Sequence, residues 1–82
     1  MMFNVRKFAG DGAEEATMGA QAYEVVDTGP NVSIRVWDTI MKDRAPIGQW
    51  GGARRSGSNP GESVVLITNR FGVPLETIYF LP

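Results

Sequence analysis

The stretch "SVVLITNRFGVPLETIYFL", residues 63–81, decides the fold. Its first seven residues are a nearly unbroken run of aliphatic and β-branched side chains. That is the composition of a central strand covered on both faces. "NRFG", 69–72, then reads as a reversal: Asn at the first position and Gly at the fourth suit a type I turn closing with a left-handed glycine. Beyond it the pattern alternates. Leu75, Thr77, Tyr79 and Leu81 share one face; Glu76, Ile78 and Phe80 share the other. Pro74 cannot donate to a ladder, so it belongs at the strand start or on an edge. The whole stretch predicts an antiparallel hairpin.

Working outward, "AYEVVDT" (22–28) and "NVSIRVW" (31–37) flank the turn pair Gly29-Pro30 and predict a second hairpin. In the second run Val32, Ile34 and Val36 point one way, and Ser33, Arg35 and Trp37 the other. "MFNVRKFA" (2–9) reads as a further strand, with Phe3 and Val5 on one face and a bulge or strand end near Lys7. "GDGAEEATMGAQ" (10–21) is small and acidic, and reads as a loop or a single helical turn. Residues 38–50 are ambiguous. The expectation is a strand continuing to about Met41 and then loop, because residues before Pro46 lean away from helix. The result is one domain over residues 1–82, mostly β (all-β or α+β). It has about five antiparallel strands in a small barrel or curved sheet, at most one short helix, and a long Gly/Ser/Arg loop at about 48–62.

Composition narrows function by exclusion. The 82 residues are 43% hydrophobic and 21% charged, an ordinary globular balance with room for one core only. There is no cysteine and no histidine. Disulfides, thiolate nucleophiles and Cys-ligated zinc are therefore excluded, as are the commonest general base and the commonest metal ligand. "DGAEE" (11–15) gathers three carboxylates but fails the calcium-loop spacing, since Ala16 and Ala22 stand where that pattern needs Gly and Glu. We therefore expect no catalytic residues, no metal and no cofactor. The net charge of −1 argues against general nucleic-acid binding. No stretch approaches the length of an apolar membrane span and no leader-like segment opens the sequence. The expected location is cytoplasmic.

One segment retains the ingredients of recognition. "GQWGGARRSGSNPGES" (48–63) matches neither the phosphate-loop nor the dinucleotide pattern. It nevertheless brings the planar, permanently charged forks of Arg54 and Arg55, the hydroxyls of Ser56 and Ser58, and an aromatic face at Trp50. These five are the candidate ligand-binding residues. Arg35 and Trp37 share a strand face and are the candidate interaction face. The leading expectation is a non-catalytic binding protein, a homo-oligomer, that holds an anionic or phosphate-bearing small molecule or nucleotide through its arginine loop. The alternative is an interaction module or inhibitor, of the kind small accessory proteins of phages or mobile elements supply, docking through a sheet edge or face. A weaker third reading is single-stranded nucleic-acid binding through aromatics and arginines.

Overall fold

The computed structural model describes residues 2–53, 55–57 and 59–81. These residues are all β: seven strands and one two-residue segment, with no helix among them. The strands are β1 (Phe3–Phe8), β2 (Glu14–Ala20), β3 (Ala22–Asp27), β4 (Val32–Trp37), β5 (Gly48–Ala53), the short β6 (Arg55–Ser56), β7 (Ser63–Asn69) and β8 (Pro74–Phe80). They form two antiparallel sheets. The larger has the order β2-β1-β7-β8-β6 and the smaller β3-β4-β5. They do not close into a barrel, so the barrel expectation is replaced by two sheets laid face to face.

Both predicted hairpins are present. β7 and β8 pair from Ser63↔Phe80 onward, with a register shift between Ile67 and Thr68. Their turn is held by the Asn69 side chain, whose Oδ1 accepts from the backbone N–H of Phe71 (2.8 Å) and Val73 (3.0 Å). Gly72 closes it at φ +84°, as the sequence demands. β3 and β4 pair from Ala22↔Trp37 to Asp27↔Val32. In that turn Asp27 Oδ1 accepts from Gly29 N at 2.9 Å.

Four expectations are corrected. First, residues 14–20 are a strand and not a loop or helical turn. Ala16, Met18 and Ala20 point inward while Thr17 and Gly19 point out, so the alternation is real but carried by side chains too small to announce it. Second, the 48–62 loop is mostly ordered ladder: β5 pairs with β4, and β6 pairs with Phe80 and Tyr79 of β8. Third, β4 stops at Trp37, and residues 38–47 turn back across it. Fourth, β7 is central but covered on one face only. Val65 and Ile67 are buried, while Val64 and Leu66 on the other face are half-buried.

The core is the facing surfaces of the two sheets. Val5, Ala20, Val65, Ile67, Ile78 and Phe80 of the larger meet Val32, Ile34 and Val36 of the smaller. Burying one such aliphatic side chain contributes about 1.5–3 kcal/mol. The chain crosses between sheets at two corners. Gln21 joins β2 of the larger sheet to β3 of the smaller, and the chain returns to the larger sheet between β5 and β6.

Candidate functional site

The inward face of β1 is Phe3, Val5 and Lys7, in register with Asn69, Ile67 and Val65 of β7. Phe3 and Val5 pack in or against the core, so the same alternation sends Lys7 between the sheets. Its side chain is only 11% exposed. The Lys7 ammonium is held at the margin by two acceptors: the Phe8 carbonyl at 3.2 Å and Glu15 Oε2 at 3.1 Å. An ammonium has three donors.

Lys7 lines a cleft of about 350 Å³ at this end of the sheet interface, with Gln49, Trp50, Gly51, Ser63, Phe80 and Leu81. The smaller sheet supplies Trp50. It is paired with Ile34, so it lies on the inward face and packs against the core with part of its surface free. Gly48 makes room for the indole: a Cβ at that position would sit 2.6 Å from Trp50 Cη2. Gly51 serves the sheet in a similar way, because a Cβ there would meet Ser33 at 2.7 Å. These glycines let β5 lie flat on β4 and do not form an anion-binding nest. Phe80 and Ser63 face each other across β7 and β8 and complete the cleft from the larger sheet.

The opposite end of the interface is closed. Phe3 and Tyr23 meet edge to face, with centroids 5.0 Å apart. Burial, and then the negative charge of Glu76, push the Tyr23 phenol above its ordinary value.

The other predicted residues are distributed unevenly. Arg54 and Ser58 lie outside the described residues, as do the side chains of Arg55 and Ser56. The backbone of Arg55 pairs with Phe80, so the arginine segment runs past a cleft-lining residue. Arg35 is exposed on the outward face of the smaller sheet. Trp37 shares that face but is only 3% exposed, because the 38–47 segment folds over it. Its Nε1 donates to the Arg44 carbonyl at 2.8 Å, and the Lys42 ammonium lies 5.7 Å from the ring centroid. Arg35 and Trp37 therefore do not present one open platform.

Sequence reasoning missed Lys7 and Glu62. Lys7 was legible, since it continues the Phe3–Val5 alternation into the core. Glu62 is 6% exposed, with Oε1 accepting from the backbone N–H of Asn59 and Oε2 without a partner among the described residues. Its burial has no signal in the sequence beyond the "NPGE" turn that precedes β7. Among the described residues no three acidic side chains converge as a metal site.

No family model matches this chain, and neither a curated protein nor a solved structure matches it.

Proposed function

We propose that this chain is a non-catalytic binding protein. Its ligand is a small molecule carrying an anionic group, above all a phosphate, beside a planar ring, as a nucleotide does. The observation that carries this reading is the inward-facing Lys7 ammonium in the same cleft as Trp50. The volume, about 350 Å³, lies at the lower end of small-molecule sites and suits a ligand of mononucleotide size. In this reading Lys7 takes the anionic group, Trp50 stacks on the ring, and the Ser63 hydroxyl sets orientation. The backbone of Arg55 pairs with the cleft-lining Phe80, and the permanent charges of Arg54 and Arg55 favour an anionic ligand.

The test is a thermal-shift panel of inorganic phosphate and nucleoside mono-, di- and triphosphates. A ligand at a hundred times its Kd stabilises by about 2.7 kcal/mol. In a domain of this size that raises Tm by roughly 10–20 °C. Lys7→Met and Trp50→Ala should each abolish the rise. A flat panel for the native protein overturns the proposal.

A second reading rests on a different observation. β6 covers β8 only at Tyr79 and Phe80, so among the described residues the outer edge of β8 from Pro74 to Ile78 has no neighbouring strand. Exposed Phe71, Val73 and Leu75 flank that edge. Here the protein is an interaction module whose β8 accepts a strand from another chain, first of all a second copy of itself.

A further inference from the structure

We propose that Glu15 is a built-in counter-ion that pairs with Lys7 at the cleft and is displaced by the anionic ligand. This rests on the cleft reading above and adds how the site is regulated.

The placement of Glu15 is a product of the β1–β2 ladder. Lys7 pairs with Ala16 and Phe8 pairs with Glu14, so Glu15 is the extra residue of a β-bulge. A bulge breaks strict alternation and re-aims the residue it inserts. The two adjacent glutamates accordingly go to different bases. Glu14 accepts from Arg6 Nε at 2.6 Å on the outward face, and Glu15 accepts from Lys7 Nζ at 3.1 Å.

The two partners of the Lys7–Glu15 pair are unequally buried. The Lys7 side chain is 11% exposed and that of Glu15 is 54% exposed. A largely desolvated ammonium needs a compensating anion. The carboxylate supplying it is held by one exposed contact of a kind worth at most about 1 kcal/mol. Glu15 can rotate into water at small cost, whereas Lys7 on its strand remains beside Trp50 and Ser63. An anion that enters the cleft exchanges with Glu15 and leaves the Lys7 charge neutralised throughout. Glu15 therefore competes with every ligand and sets a threshold: a fully ionised phosphate displaces it, while a weakly acidic or neutral ring compound does not.

The experiment is calorimetric titration of the full chain with adenosine 5′-monophosphate at low salt. The proteins are the native form, Glu15→Gln, Glu14→Gln, Lys7→Met, and Lys7→Met combined with Glu15→Gln. Glu14→Gln removes the same charge one residue away without touching Lys7. The expected result is that Glu15→Gln binds about two- to fivefold more tightly than the native protein, the range that loss of one exposed competing ion pair allows. Glu14→Gln should match the native protein, and the gain from Glu15→Gln should vanish in the Lys7→Met background. Equal affinity of Glu15→Gln and native protein overturns the counter-ion and leaves the cleft reading standing. Equal tightening by Glu14→Gln and Glu15→Gln also overturns it, since the effect is then the general field of the acidic hairpin. No binding by any of the five proteins overturns the cleft reading and this inference together. Folding of each variant is checked by its urea midpoint.

Discussion

Gly48 shows how one residue fixes a wall of the cleft. β5 opens with a glycine because the indole of Trp50, two residues on, lies back over it. An added Cβ would stand 2.6 Å from Trp50 Cη2, 2.9 Å from Val36 Cγ2 and 3.1 Å from Met18 Sδ. Those three atoms belong to β5, β4 and β2, so a single methyl group would strain both sheets at once. Overpacking of this kind costs about 1–3 kcal/mol. Gly48→Ala should therefore lower the urea midpoint and shift the tryptophan emission, because the ring must leave its seat. An unchanged midpoint and spectrum would mean that the indole is not held in place, and the cleft would then lack the rigid face on which its ligand is proposed to stack.

At the scale of elements, the connection into β7 is a small machine of four residues. Asn59, Pro60, Gly61 and Glu62 form a turn in which Glu62 N donates to Asn59 O at 3.3 Å. Pro60 stands at the position that wants φ near −65°, and Gly61, at φ +86°, at the one that wants a left-handed residue. The Glu62 carboxylate then reaches back to the Asn59 N–H. The turn is thus closed from both sides by the same pair of residues. Hydrogen bonds to a charged group contribute about 1.5–3 kcal/mol. Glu62→Ala should destabilise by about that much and speed amide exchange at Asn59 before any residue of β7. If exchange at Asn59 keeps its native rate while global stability falls, the carboxylate supports the fold in some other way than by closing this turn.

The same scale explains what could be read in advance. The β3–β4 and β7–β8 hairpins were legible because Val, Ile, Tyr and Phe alternate in them and Gly29-Pro30 and Asn69–Gly72 punctuate them. β2 and β5 were not, because "EEATMGA" and "GQWGGA" are strands made of small residues. Their place in the ladder is granted by neighbours: β1 draws in β2, and β4 draws in β5. A propensity for the extended chain is weak evidence where the packing partner decides. The site was legible by half. Trp50 stood out as an aromatic at the root of a glycine-rich segment. Lys7 continues the Phe3–Val5 alternation and a bulge or strand end was expected beside it, but the facing sheet that makes it a cleft wall has no local signature. Trp37 looked free because alternation puts it opposite the core, and no pattern revealed that residues 38–47 fold back to cover it.

For the whole molecule, the two-sheet architecture leaves edges, and edges bear on association. The larger sheet ends at β2 on one side and at β8, partly capped by β6, on the other. Small β domains blunt such edges with charge, proline or a covering segment. On β8 the blunting is incomplete. Pro74 protects only its first residue, and the one charged side chain of the strand, Glu76, alternates to the inward face, where its field reaches Tyr23. Leu75, on the outward side, is exposed together with Val73 and Phe71. An antiparallel pairing of β8 with β8 of a second copy would extend the five-stranded sheet through a two-fold axis and cover these side chains in both copies. The second reading therefore predicts a mass in sedimentation equilibrium of twice the 8.9 kDa chain at micromolar to millimolar concentrations. Leu75→Lys, which places a charge on the edge without touching the core, should return the protein to monomer. Its midpoint in urea, measured below the dissociation concentration, should stay within about 0.5 kcal/mol of the native value, as surface substitutions do. A native chain that remains monomeric across that range rules out the pairing of two copies. A dimer that survives Leu75→Lys places its interface elsewhere on the molecule.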